Sequence, residues 1–354
     1  MEAVSATSDY ARLGQEVPVS GIEKALAELW ENDEASTKAT LLNLVCFSTK
    51  AGSLLENDRV AAELTRDHAC RVLLIEATPG TETRAWISAH CHLSGGKKSV
   101  CSEQIALLLD RERPGLARNT LLALLPSDVP VVLWWQGPLD DAFEPGLYSH
   151  VDRLLVDSAG WEFSETPRQL AKLEEAREKM GRPFAMHDLA WTRTYQFRIA
   201  LAALFDHPHA QALMHGLRRV DILAGTGYRA CGALLAAWIA RSLGWTPAGA
   251  LPEGWKFRKA TGEMVEFFCV ESEDSAPVGR LELRGPAGAV AISRSKGDCH
   301  LCASIEDGAH LPPLMLPAHA DSIPSLVAEM LSRGGKNSLY ASVLPVMLEM
   351  DGLR

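Results

Sequence analysis

The sequence contains no run of about twenty apolar residues, the length a membrane-crossing helix needs; its most apolar helix-like stretch, residues 230–239, is short and runs into Arg241. It has no basic segment followed by an apolar one at its start, residues 1–21 being polar, so no secretory leader is expected. Basic residues are in the minority: 35 Lys and Arg stand against 45 Asp and Glu, a formal net charge of −10. Neutralising a phosphate backbone takes a basic face, so nucleic acid is not expected as a partner, and an anionic membrane surface is disfavoured on the same ground. P-loop, nucleophile elbow, His-Glu-x-x-His pair and internal repeat are all missing. The eight cysteines are scattered, most of them inside apolar runs, which points to reduced, buried thiols and not to a disulfide framework. These absences describe a soluble, cytoplasmic protein with neither cofactor nor metal.

What is present is an ordinary globular composition, 47% hydrophobic and 23% charged over 354 residues, enough to bury a large core. The first part alternates apolar strand-like runs (residues 40–47, 71–77, 129–135 and 152–156) with amphipathic or charged helical ones (22–30, 54–66, 114–125 and 167–180). That alternation predicts an α/β fold, a helix-covered, mostly parallel or mixed sheet. Residues 84–93 and 99–108, separated by Gly95-Gly96-Lys97-Lys98, read as an added hairpin. Residues 188–206 read as one long helix, 219–223 as a strand and 228–243 as a helix. After Trp245 the pattern changes to short strands of period two with tight turns, then two helical stretches, the last with Pro345 as a kink or break. The expected organisation is an α/β domain over residues 1–245, itself divisible near 160–187, followed by a smaller α+β domain over 246–354 with antiparallel strands.

Three constellations invite chemical readings. Gly225-Thr226-Gly227-Tyr228-Arg229-Ala230 follows a strand and opens a helix, the setting of a dinucleotide fingerprint, and Gly225, Gly227 and Arg229 are candidate anion-binding residues. The sequel that such a site needs, a parallel strand ending in an acid about twenty residues on, is not visible, so a tight strand-to-helix turn serves equally well. His90-Cys91-His92 and Cys299-His300-Leu301-Cys302 have metal-like residue types without tetrahedral ligand spacing. Asp140-Asp141, after Trp134-Trp135, sits in a loop leaving a strand, either a pocket mouth or a solvated loop.

The segment from Asp188 to Asp206 is the most informative. On a helix, Trp191, Tyr195, Arg198 and Ala202 share one face, with Phe197, Ala200 and Leu204 opposite, so the helix should be buried. A buried guanidinium must be paired. One reading is an internal clamp, with Asp188 and Asp206 in reach of Arg198; the other is a contact surface in which Trp191, Arg193 and Arg198 are interface anchors.

Asp188-Leu189-Ala190-Trp191-Thr192-Arg193, with Arg198 and Phe205-Asp206, resembles the core motif of the OpcA family of glucose-6-phosphate dehydrogenase assembly proteins. Further stretches are similar in the same order: Thr40 to Val45, Cys70-Arg71-Val72, Ser102-Glu103-Gln104-Ile105, Leu124 to Val131 with Trp134-Trp135, and Asp152 to Ser158. Phe197-Arg198 departs from the family's Trp-Arg pair, and Ala69 stands where the family has Pro. The resemblance implies a non-catalytic partner of glucose-6-phosphate dehydrogenase, an assembly factor or allosteric activator in the oxidative pentose phosphate pathway. It marks Asp188, Trp191, Arg193, Arg198, Trp134 and Trp135 as partner-binding or motif residues.

Overall fold

The computed structural model describes residues 10–31, 36–38, 40–94, 98–113, 115–126, 128–181, 183–308, 311–333 and 337–352. The chain forms two compact units, one of Met1–Val156, Ala176–Ala185 and Met330–Gly334, the other of Asp157–Glu175, Met186–Glu329 and Gly335–Arg354.

In the first unit the chain runs β1 (Gln15–Val17), α1 (Ile22–Glu31), β2 (Ser36–Lys38), β3 (Leu42–Ser48), α2 (Ser53–Leu64), β4 (Cys70–Thr78), β5 (Arg84–Ser94), β6 (Lys98–Asp110), α3 (Leu116–Leu124), β7 (Val131–Gln136), α4 (Pro145–Tyr148) and β8 (Arg153–Val156). Then follow α5 (Thr166–Glu178) and β9 (Ala185–Asp188), each crossed by the division between units. The sheet order is β1-β5-β6-β4-β3-β7-β8-β9, with β2 beside β6. Strands β6, β4, β3, β7 and β8 are parallel, as their near-continuous apolar runs require of strands covered on both faces. The expected hairpin is β5 against β6; residues 95–97 of its turn, and Pro114 before α3, lie outside the described residues. Contrary to the expectation of reduced thiols, Cys91 and Cys101, directly opposite in this hairpin, form a disulfide. Alternating side chains put both residues at one cross-strand position, a juxtaposition that linear spacing does not reveal.

The second unit contains α6 (Leu189–Arg193), α7 (Tyr195–Phe205), α8 (Pro208–Met214), β10 (Arg219–Gly225), α9 (Arg229–Ser242), β11 (Thr246–Leu251), β12 (Gly254–Arg258), β13 (Met264–Ser272), β14 (Ser275–Gly285), β15 (Gly288–Ser295), β16 (His300–Glu306), β17 (Leu314–Pro317), the part of α10 (Ile323–Arg333) before Met330, and α11 (Ser338–Gly352). Its sheet order is β11-β12-β13-β10-β14-β15-β16-β17. β10 is parallel to β13 on one side and antiparallel to β14 on the other, so strands from both sides of Trp245 share one sheet. The units part near residues 156 and 186, and no division falls at 245. α9 lies over this sheet because Gly232 lets it approach: a Cβ there would stand 2.4 Å from Cys269 Sγ.

The predicted long helix over 188–206 is three pieces. Asp188 ends β9, α6 makes little more than one turn, and α7 starts after Thr194. The Thr194 hydroxyl donates to the Trp191 carbonyl at 2.8 Å and accepts from Arg198 Nε at 3.0 Å, local bonds that compete with the helical ladder. α11, by contrast, continues through Pro345. Among the described residues no helix is long and apolar enough to cross a membrane.

Candidate functional site

Asp188 closes β9 in extended conformation and turns its fully buried carboxylate over the start of α6. Oδ1 accepts from the Ala190 N–H at 2.9 Å and the Ser158 N–H at 3.0 Å; Oδ2 accepts from Ser158 Oγ at 2.6 Å and from the Tyr340 hydroxyl at 3.1 Å. Burial pushes this carboxyl up to about 6, against the lowering effect of the Ser158 and Ala190 bonds and with the help of the neighbouring Asp157 charge. Tyr340, also buried, has its hydroxyl held well above the ordinary phenol range, by burial first and then by Asp188.

Arg193 is buried and paired. Its two terminal nitrogens donate to Asp157 Oδ1 at 2.7 Å and Oδ2 at 2.8 Å, the two-pronged geometry that suits a guanidinium. Burial works against its charge, but Asp157 outweighs burial and raises the Arg193 pKa above its ordinary range. Arg198 lies 3.6 Å above the Trp191 ring, and Trp191 is itself buried and tilted against Tyr340 at 5.8 Å. The internal-clamp geometry is therefore present, with different partners from those expected. Asp157 meets Arg193, and Asp188 serves a helix cap and a tyrosine. Asp157 lies within the Asp152 to Ser158 stretch; its pairing 36 residues along had no signal in spacing. Trp134 and Trp135 belong to the core of the first unit, where Trp135 stacks on Phe47 at 4.5 Å.

The glycine turn has the strand-to-helix geometry of an anion site. Gly227 has φ +83°, and a Cβ at Gly225 would come within 3.1 Å of the Ala276 carbonyl oxygen. The parallel neighbour thought to be missing exists: β13, reached after the inserted β11–β12 pair, sets Glu271 opposite Ala224. Its carboxylate accepts the Gly227 N–H at 2.8 Å, so an internal anion already stands at this turn. Arg229 faces the rings of Phe163 and Trp255, 5.1 and 6.0 Å from their centroids. A cavity of about 690 Å³ borders the turn, lined among others by Thr226, Tyr228, Ser275 and Lys296. Its cations are engaged, Arg294 with Asp321 and Lys296 with the Glu273 carbonyl.

The first unit repeats the arrangement. Its strand order changes direction between β3 and β7, the place where open α/β sheets bind ligands at their carboxyl ends. There Glu76, buried at the end of β4, accepts the Leu54 N–H at 3.1 Å and the Ser53 hydroxyl at 3.3 Å, covering the start of α2. Asn57 and Gln136 exchange amide hydrogen bonds of 3.0 and 2.7 Å beside it. A smaller cavity of about 340 Å³ lies under the Asp140-Asp141 loop. Asp141 lines it, and Asp140 pairs with Arg111 at 2.9 Å. His90 Nε2 meets Gln104 Oε1 at 2.9 Å, and Cys299 Sγ meets the adjacent His300 at 3.2 Å. Among the described residues no three His, Cys, Asp or Glu side chains cluster as a metal site.

This geometry defines an α/β protein of two sheet-based units whose motif residues turn inward. Residues 61–175 match the glucose-6-phosphate dehydrogenase subunit N-terminal domain and residues 184–344 the C-terminal domain of the same subunit, both models of the OpcA type. The chain belongs to the OpcA family of glucose-6-phosphate dehydrogenase assembly proteins. It is also similar to a Synechocystis protein named OpcA and assigned by name to the OxPP cycle, 24% identical over 201 residues, which take in 54% of this chain and 41% of that protein. The match thus spans well under two thirds of the relative's length. Among solved structures, KijD10, a 3-ketoreductase from Actinomadura kijaniata, superposes with TM-score 0.48 at 12% identity, covering 88% of this chain and 96% of that one. The aldose-aldose oxidoreductase from Caulobacter crescentus superposes with TM-score 0.46 at 13% identity, covering 87% and 96%. Neither likeness bears on chemistry.

Proposed function

We propose that this chain is a non-catalytic assembly factor and allosteric activator that binds glucose-6-phosphate dehydrogenase in the cytoplasm and supports the oxidative pentose phosphate pathway. Family membership supports the partner. One observation supports the absence of a reaction centre: at both glycine-bearing or strand-end turns where a phosphate would bind, the chain's own carboxylate is in place, Glu76 at α2 and Glu271 at Gly227. An incoming phosphate would meet negative charge on donors already used. The motif residues Asp188, Trp191, Arg193 and Arg198 are buried, so they serve partner binding through the frame they hold and not as the contact surface. A regulator of this kind shifts its partner by its differential affinity for two states, typically 1–3 kcal/mol.

The test is a titration of the purified chain into the dehydrogenase of its own host, following initial rate against glucose 6-phosphate. A lowered KM or raised kcat supports the proposal. Co-elution without a rate change would leave a purely structural subunit. Saturable binding of glucose 6-phosphate by the isolated chain, lost on Gly227→Val, would replace the proposal with a phosphosugar-binding enzyme or sensor.

A further inference from the structure

The helices of the second unit pack on one face of its sheet, the face that carries Trp255, Phe267, Ile222, Leu281 and Ile292. The opposite face carries side chains that are in good part exposed, among them Arg219, Arg280, Arg284 and Val270. Pairing register places its side chains in rows: Lys256, Glu266, Arg219, Arg284; then Phe268, Asp221, Glu282, Ala291; then Val270, Leu223, Arg280, Ser293, Cys302, Met315. At its centre charge is layered. The carboxylates lie low, Asp221 and Glu282 having side-chain exposures of 29% and 7%, and the guanidinium groups of Arg219, Arg280 and Arg284 stand over them at 49%, 48% and 54%. Arg219 is held by Asp221 at 2.6 Å and lies 4.2 Å from the Phe268 ring centroid. Arg280 bonds Glu282 at 2.8 Å, and Arg284 bonds the other oxygen of the same carboxylate. Three arginines are thus fixed in advance with their outer edges in water, which lowers the entropy lost when they bind. Exposed apolar side chains flank them, Val270 at 42% and Met315 at 59%.

We propose that this face receives an acidic surface of glucose-6-phosphate dehydrogenase, an inference that rests on the function proposed above. Seven strands at ~4.8 Å spacing by about five residues at ~3.3 Å span on the order of 600 Å² in plan, close to the ~800 Å² per partner of a stable interface once side-chain relief is added. At the centre the outermost charge is cationic, three guanidinium groups over two carboxylates, with the Lys256–Glu266 pair balanced beside them; this favours an acidic partner surface and opposes two such faces meeting each other. Two-fold stacking about an axis along the strands between β10 and β14 would also set Arg219 against Arg284. Nucleic acid is disfavoured because carboxylates underlie the cations.

The experiment measures affinity of the full chain for its host's dehydrogenase by biolayer interferometry at low and high salt. Each variant is first checked for native circular dichroism and cooperative melting. Wild-type binding is expected to weaken with salt, and the triple variant Arg219→Gln, Arg280→Gln, Arg284→Gln to lose at least about tenfold in affinity. Val270→Glu and Met315→Glu, at exposed positions that the fold does not need, are expected to lose a similar factor and decide the matter if the triple variant misfolds. Lys172→Glu, on the exposed part of α5, is the control expected to bind as wild type. Wild-type affinity retained in the folded Val270→Glu and Met315→Glu variants overturns the docking face while leaving the proposed function standing. Absence of wild-type binding overturns both. Self-association of the wild type, abolished by Val270→Glu, overturns the inference in favour of a second copy.

Discussion

The Tyr340 hydroxyl donates to Asp188 Oδ2 at 3.1 Å across 152 residues of sequence, tying α11 to the first turn of α6. Because Ser158 shares that carboxylate, three distant stretches of the second unit meet at one buried acid.

Asp188 should make stability fall as pH rises. Its folded pKa, about 6, lies above the ordinary carboxyl value of ~3.9, so the native state holds a proton more tightly than the unfolded one. The stabilisation is complete below about pH 4 and is lost as pH rises through about 6, a span on the order of 3 kcal/mol. Denaturant titrations between pH 4 and 7 check the slope. Asp188→Asn should flatten this contribution over that window while lowering stability throughout, since an amide nitrogen cannot accept the Ser158 or Tyr340 hydrogen bonds.

Breaking the Arg193–Asp157 pair from one side leaves a charge in a largely buried place. Arg193→Ala is expected to cost about 3–5 kcal/mol by urea unfolding. Asp157→Asn should cost at least as much, because it leaves the guanidinium of Arg193, 3% exposed, without its counter-charge, whereas the Arg193 change leaves Asp157, 23% exposed. The double variant should be less destabilised than the sum of the two, and strict additivity would contradict the pairing.

Glu76→Ala uncovers the start of α2, leaving the buried Leu54 N–H without its acceptor. A loss of about 1–3 kcal/mol in unfolding free energy is expected, with a lowered melting temperature as the readout. Glu271→Ala, on an exposed turn, should cost under about 1 kcal/mol.

The Cys91–Cys101 bridge predicts six free thiols out of eight when the unreduced protein is denatured and alkylated, counted by mass spectrometry. Closing so short a loop contributes up to roughly 3 kcal/mol in the chain-entropy account, so Cys101→Ser should lower the melting temperature even in non-reducing buffer. Eight alkylated thiols would remove the bridge.

Much of the fold was legible in the sequence because β3, β4 and β7 are apolar runs that only a sheet covered on both faces can bury. The place of β10 was not legible. Its parallel partner β13 follows two inserted strands, so linear order suggested an antiparallel domain starting after Trp245. The break at Thr194 had no glycine or proline to announce it, and its cause is a pair of side-chain hydrogen bonds. The family motif drew attention to Asp188, Trp191, Arg193 and Arg198; their inward direction and the identity of Asp157 as a partner depend on how distant elements cross. The open face with Arg219, Arg280 and Arg284 carries no motif, since alternation in a strand reads the same whether its polar side meets water or a protein.

The placing of β10 between β13 and β14 also sets an order for making the protein. Its hydrogen-bonding edges have no partners until residues 264–285 have been synthesised, and Asp188 waits longer still, for Tyr340. The parallel strands β3, β4, β6, β7 and β8 are all encoded by Val156. A nascent chain stalled near residue 250 would therefore carry its early sheet beside a naked strand edge, the form of an unfinished protein that chaperones hold and that aggregates without them.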